Sequence, residues 1–253
     1  MAENTILITG GASGLGAACV ETFSNSGWNV TIADLDQESG KKTASERGDS
    51  VLFCQTDVSD SDSVKSAINQ TIERFGELRA VVNCAGILGA SRVLGREGPH
   101  DLGLFERVIR VNLTGTFNVL RLAAGSMSAN SASSDGERGV IINAASVSAF
   151  EGQVGQAAYA ASKGGIASMT LPIARELARF GIRVVAIAPG VFATPMMTAA
   201  PEKVLHSLEE QTVFPKRLGE PLEFASLAMH IVENPMLNGS VIRLDGAIRM
   251  NAK

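Results

Sequence analysis

The chain has 253 residues, 45% of them hydrophobic and 19% charged, which suits a well-filled α/β core rather than a disordered polymer. A net charge of −4 offers no basic field to hold nucleic acid, and no apolar run reaches the ~18 residues of a membrane span. Cys19, Cys54 and Cys84 are scattered without metal-ligand spacing and read as reduced thiols. The strand-like run beginning at Thr5 leaves no room for a signal peptide, and both features point to the cytoplasm.

TILIT (5–9) is a short β-branched run bounded by glycine and predicts a buried strand. It enters Gly10-Gly11-Ala12-Ser13-Gly14-Leu15-Gly16 and then a helical stretch, Ala17 to Ser26. Glycines between a strand and a helix let backbone N–H groups approach a pyrophosphate at the helix N-terminus. The second strand, Asn29 to Ala33, ends in Asp34, where a carboxylate accepts ribose hydroxyls and repels a 2′-phosphate. Leu35 supplies no basic compensation, so the cofactor read here is NAD rather than NADP; the bland alternative is a helix cap. A polar helix (Gln37 to Arg47) and a third strand (Val51 to Gln55) lead to Asp57-Val58. Asp57 is placed to accept an adenine amino group or to serve a turn. A helix from about Asp60 to Phe75, with Ser59 or Asp60 as its cap, precedes the fourth strand, Leu78 to Asn83. Small residues follow it, Cys84-Ala85-Gly86, and let backbone lie against a ribose or a nicotinamide.

Alternating strands and helices predict a three-layer, doubly wound parallel sheet in a single domain, with ligands at the carboxyl ends of the strands. Two insertions interrupt the pattern, 87–103 and 128–139, the first rich in glycine. Between them a helix from about Leu104 to Met127 carries Asn112 near its middle, with Gly115 close by as a source of a kink. After a fifth strand (Val140 to Ala144), Ser146 precedes a long helix, Gln156 to Phe180, in which Tyr159 and Lys163 share a face. A phenol whose pKa is lowered by a neighbouring ammonium is a proton donor to a carbonyl, and Ser146 is placed to bond the same oxygen. Taken alone, that spacing is common in ordinary helices. The long helix is apolar or small around much of its circumference and predicts self-association. Beyond a sixth strand (Arg183 to Ala188), Phe192 and Thr194 begin a segment read as a mobile lid, about 193–215, with a helix at Glu202 to Gln211. A last helix (Glu220 to Glu233) and strand (Ser240 to Leu244) finish the chain.

In order and spacing, TGGASGLG (9–16), Asp34, Asp57-Val58, NCAG (83–86), Asn112, Ser146, Tyr159-x-x-x-Lys163 and the Pro189-Gly190 pair with Thr194 resemble the short-chain dehydrogenase/reductase family over the whole length. Within it, 139–165, 171–177 and 233–250 are similar to a group acting on 3-hydroxyacyl-CoA. The resemblance implies a Rossmann-type parallel sheet of about seven strands, an NAD cofactor, a small-molecule substrate and a homotetramer. It makes Tyr159 the acid/base, with Lys163 lowering its pKa and bonding the nicotinamide ribose. Ser146 orients the substrate oxygen, with Gln153 beside it, and Asn112 holds a water that links Lys163 to solvent. Gly10, Ser13, Gly14, Leu15 and Gly16 hold the adenosine diphosphate; Asp34, Asp57 and Val58 contact the adenosine; Thr194 and Phe192 cover the nicotinamide side. Cys84, Ala85 and Gly86 complete the cofactor set, Cys84 replacing an asparagine frequent in the family. Arg92 and Arg96 stand in the 87–103 insertion as candidates for CoA phosphates or as a solvated surface pair. A hydroxysteroid or broad alcohol dehydrogenase, and a dinucleotide-binding scaffold without catalysis, are the competing readings.

Overall fold

In the computed structural model, residues 4–96, 98–198 and 202–252 are described. Position 97 of the first insertion and residues 199–201 of the lid segment lie outside them.

Strands β1 (Thr5–Thr9), β2 (Asn29–Asp34), β3 (Val51–Gln55) and β4 (Leu78–Asn83) alternate with helices α1 (Gly14–Asn25), α2 (Gln37–Arg47) and α3 (Ser61–Phe75). Asp60 caps α3 by accepting from the N–H groups of Asp62 and Ser63. The 87–103 insertion contains a small antiparallel ribbon, β5 (Leu94–Gly95) with β6 (Gly98–Pro99), and α4 (Leu102–Ile109) starts at its end. The expected helix kink is a π turn, Arg110–Thr114, centred on Asn112 and continuing into α5 (Gly115–Met127). A Cβ at Gly115 would come within 2.7 Å of the Val58 side chain, so glycine lets the helix press against the end of the third unit.

The second half runs β7 (Gly139–Ala144), α6 (Ala157–Leu177), β8 (Ile182–Pro189), α7 (Pro195–Thr198), α8 (Glu202–Gln211), α9 (Pro221–Glu233) and β9 (Val241–Leu244). Seven parallel strands lie in the order β3-β2-β1-β4-β7-β8-β9, so the chain reverses direction between β1 and β4. Such a switch point leaves a crevice at the carboxyl ends of the strands. The strands are nearly all apolar because both faces are covered. One face packs Val20, Phe23, Phe224 and Ile231 from α1 and α9 against Ile6, Ile8 and Ile142. The other packs Ile68, Val119, Leu120 and Ala174 from α3, α5 and α6 against Leu7, Val81 and Ile141.

Two polar features sit inside this apolar frame. Thr9, Asn83 and Asn143 are in register at the ends of β1, β4 and β7. The Thr9 hydroxyl donates to Asn83 Oδ1 (3.4 Å), and Asn83 Nδ2 donates to Asn143 Oδ1 (2.9 Å), tying three strand ends beneath the crevice. On β8, Arg183 is buried. It donates to the carbonyls of Ile231 and Val232 in the last turn of α9 and of Leu237 in the loop beyond, and pairs with Glu137 at 2.6 Å. The second insertion therefore supplies the counter-charge that lets an arginine sit in a core strand.

Candidate active site

A cleft of about 570 Å³ runs along the carboxyl edge of the sheet, from Leu35 at one end to Met250 at the other. Every sequence-predicted site residue lines it except Asn112 and the two CoA-phosphate candidates, Arg92 and Arg96, which lie outside its wall.

At the glycine turn, Gly10 and Gly14 have φ of +65° and +52°, a region that favours glycine. A Cβ on Gly10 would meet the Ala85 nitrogen at 2.8 Å, and one on Gly16 would strike the Gly10 carbonyl oxygen. The turn is thus pressed flat against NCAG, leaving the α1 N-terminus open to the cleft. Ser13 is the N-cap of α1 and makes no side-chain cap bond, so that terminus is not closed by its own side chain. Backbone donors and the helix dipole at such a terminus suit an anionic group such as a diphosphate. Thr194 lies across it, its side chain 3.4 Å from where a Gly14 Cβ would be.

Asp34 is more than a strand end. Its Oδ2 accepts from Ala12 N (2.9 Å) and its Oδ1 from Asp36 N (3.0 Å), so the carboxylate is fixed between the glycine turn and the start of α2. The cap of α2 is Asp36, whose side chain accepts from Ser39 N, not Asp34. Asp57 does serve a turn: its Oδ1 accepts from both the N–H and the hydroxyl of Ser59 (2.8 and 2.7 Å), while the residue still borders the cleft with Val58. Phe192 contributes mainly to packing. It is buried and its ring lies against Gly219, where a Cβ would come within 2.7 Å of the ring.

In the centre of the cleft, Ser146 follows β7 and accepts from Ser148 N (3.1 Å), which orients its hydroxyl. Tyr159 and Lys163 project from the first turns of α6, with Lys163 Nζ 5.7 Å from the centre of the tyrosine ring. Lys163 is buried and donates to Ala144 O at 2.6 Å. Burial lowers its pKa to about 8, slightly opposed by Cys84. Burial also raises the Tyr159 phenol above its ordinary value, and the hydrogen bond with Ser146 pulls the other way. The sequence expectation was a phenol lowered by the ammonium; desolvation is the larger influence in the structure.

Asn112 stands behind Gly86, fully buried. Its Oδ1 accepts from Ile87 N (2.8 Å), and its Nδ2 donates to Ile87 O (2.9 Å) and Ser162 Oγ (3.1 Å). The side chain clamps the strand-end loop to α6, and the π turn is what swings it there. A Cβ on Gly86 would sit 3.2 Å from Asn112 Oδ1 and 3.8 Å from Lys163 Nζ, so both groups flank the same backbone.

Sequence reasoning missed two contributors, Gln156 and Met250. Gln156 accepts on Oε1 from Ser148 Oγ and from Gln153 N (both 3.1 Å), fastening the loop between serine and tyrosine. Its spacing ahead of Tyr159 was a usable signal. Met250 reaches the cleft from the far end of the chain, which no local pattern announces, whereas Leu208 belongs to the segment read as a lid. Among the described residues, no group of His, Cys, Asp or Glu is placed to hold a metal ion.

The profile of the short chain dehydrogenase family matches residues 4–205. The chain belongs to that family. It is an oxidoreductase with a nicotinamide dinucleotide cofactor, built as a single Rossmann-like domain. One relative, 3-hydroxyacyl-CoA dehydrogenase type-2 of Bos taurus, is 54% identical over 246 residues, covering 96% of this chain and 94% of that protein. The crystal structure of 3-hydroxyacyl-CoA dehydrogenase type-2 from Mycobacterium avium matches with a TM-score of 0.94 at 42% identity, over 99% of this chain and 97% of that one. A 3-ketoacyl-(acyl-carrier-protein) reductase of the family from Brucella melitensis, complexed with NADH, matches with a TM-score of 0.87 at 28% identity. That alignment spans 99% and 100% of the two chains. Among the described residues, no helix is long and apolar enough to cross a membrane.

Proposed function

We propose that the protein is an NAD-dependent dehydrogenase that interconverts 3-hydroxyacyl-CoA and 3-ketoacyl-CoA, on short or branched chains. The observation that carries this reading is that Ser146, Tyr159 and Lys163 open onto the same cleft as the Asp34 carboxylate, in a chain whose similar relatives are named for that reaction. Asp34, anchored by Ala12 N, favours a ribose hydroxyl and disfavours a 2′-phosphate, which is the argument for NAD over NADP.

The residues divide the work. Gly10, Ser13, Gly14, Leu15 and Gly16 bind the diphosphate; Asp34, Asp57 and Val58 hold the adenosine; Cys84, Ala85, Gly86, Phe192 and Thr194 wall the nicotinamide half. When bound, the nicotinamide supplies the hydride acceptor. Tyr159 Oη takes the proton of the substrate hydroxyl in oxidation and returns it in reduction. Ser146 Oγ orients that same oxygen, with Gln153 beside it. A buried phenol resists ionisation, and the Lys163 ammonium offsets that by favouring the phenolate. Lowering a tyrosine by three pKa units takes about 4 kcal/mol of preferential phenolate stabilisation. Asn112, adjoining Lys163 across Gly86, holds the water that passes the proton outward.

Met197 of α7 and Leu208 of α8 border the cleft, in keeping with a substrate lid over about 193–215. Phe117 on α5 and Leu171 on α6 are 45% and 44% exposed, apolar surface that supports a homotetramer. The free thiols of Cys19, Cys54 and Cys84 support a cytoplasmic site. The test is NADH release across acetoacetyl-type, branched acyl-CoA, steroid and simple alcohol pairs. Preference for an acyl-CoA pair supports the reading, and preference for a steroid or alcohol replaces the substrate class.

A further inference from the structure

We propose that the C-terminal residues 250–252 act as a strap that orients Gln153, and that Gln211, at the end of α8, is a positioning residue that anchors the strap. The proposal rests on the reading above, in which Gln153 faces the substrate oxygen.

After β9 the chain is locked in place. Ala247 N donates to Asp245 Oδ1 (2.9 Å), Ile248 is fully buried, and Arg243 forks onto Glu151 (3.0 and 3.1 Å) while also donating to Ile248 O. Glu151 opens the substrate-side loop, so the loop and the turn beyond β9 are joined by an ion pair that Arg249 reinforces at 3.3 Å. Beyond this knot, Asn251 faces two ways. Its N–H donates to Gln211 Oε1 (3.2 Å), and its carbonyl accepts from Gln153 Nε2 (3.1 Å). The next carbonyl, of Ala252, accepts from Val154 N (3.0 Å). Met250, immediately before, lines the cleft.

The amide of Gln153 is therefore held at two points. One N–H is spent on Asn251 O, and Oε1 faces Gln156 Nε2 at 3.5 Å. The second N–H of the same nitrogen is left to a substrate oxygen. A half-buried glutamine released from such contacts regains rotamer freedom, and substrate must then pay to order it. The anchor for the strap is a residue at the end of α8, so Asn251 links that helix to the substrate-side loop.

The test uses the full-length enzyme in the oxidative assay, with a 3-hydroxyacyl-CoA and NAD varied separately. Gln211→Ala should raise KM for the acyl-CoA about five- to tenfold, the worth of one hydrogen bond. It should leave kcat and KM for NAD within about twofold, the pattern of lost substrate binding. Gln211→Glu keeps the acceptor for Asn251 N while losing the donor to Ser207 O, and should bring KM back to within about twofold of wild type. Deletion of residues 251–253 should reproduce the Gln211→Ala effect. In a Gln153→Ala background, Gln211→Ala should add nothing, because the residue it positions is gone. An unchanged KM in Gln211→Ala, failure of Gln211→Glu to rescue, or additive losses in the double variant would overturn the strap. A wild-type enzyme inactive on every acyl-CoA would instead overturn the substrate reading.

Discussion

Tyr159 and Lys163 stand one turn apart on α6, the ammonium 5.7 Å from the ring centre, and burial moves them in opposite directions, the phenol up and the ammonium down to about 8. Both shifts penalise a charged form. Two values that start close together are thus spread apart, so a phenolate at Tyr159 forms only where other groups stabilise it, the Ser146 hydroxyl among them. Lys163 is held in place by its bond to Ala144 O, where the helix crosses the end of β7.

Tyr159→Phe removes the hydroxyl and little else, since the ring packing is retained. Turnover should fall by about 10²–10⁴-fold, the usual worth of a positioned proton donor. NADH binding, followed by fluorescence titration, should stay within about threefold of wild type. Retained turnover would remove the tyrosine from the mechanism.

The lysine makes a prediction about stability rather than rate. Its folded pKa of about 8 lies below the ordinary 10.5, so between those values the unfolded chain holds a proton that the folded chain has lost. Stability must then rise with pH across that window, at about 1.4 kcal/mol per pH unit, and below about pH 8 the penalty is constant. Wild type should gain about 2–3 kcal/mol over Lys163→Met between pH 7.5 and 10 in denaturant melts. Parallel curves for the two proteins would mean that Lys163 is not desolvated.

Much of this was readable from the chain because the signals are local. The glycine turn, the carboxylate at the end of β2 and the one-turn spacing of Tyr159 and Lys163 each follow from short-range geometry. The alternation of strands and helices orders them along one sheet edge. What stayed hidden depends on long-range closure. Nothing near Gln153 announces that Asn251 holds its amide, and nothing near Arg183 announces Glu137. The kink at Asn112 was expected from Gly115, but its form, a π turn that aims Asn112 at Ile87, comes from packing. The direction of the Tyr159 shift was missed because burial cannot be read from spacing.

Asp34→Ala should erode the preference for NAD. The carboxylate is lost both as a ribose acceptor and as the partner of Ala12 N, so efficiency with NAD should drop about tenfold or more, the worth of a charge-assisted hydrogen bond. Removal of the negative charge should at the same time raise efficiency with NADP. Steady-state kcat/KM with each dinucleotide checks this, and an unchanged ratio would place selectivity elsewhere in the cleft.

The Arg183–Glu137 pair bears on the fold alone, since neither residue lines the cleft. The side chain of Arg183 is 7% exposed and that of Glu137 26%, and three carbonyls, two in the last turn of α9 and one in the loop beyond, bond to the guanidinium. Glu137→Ala leaves a buried cation with neutral acceptors only, and should cost about 2–4 kcal/mol, at the lower end of what breaking a buried pair costs. Arg183→Leu should cost more, because it also strips the α9 carbonyls of their donor. In calorimetry the melting temperature should fall by roughly 5–15 °C, at 2–4 °C per kcal/mol for a domain of this size, while turnover per folded molecule at 25 °C stays at the wild-type value. Equal losses from the two variants would show that the ion pair, and not the capping of α9, is what holds this corner of the sheet.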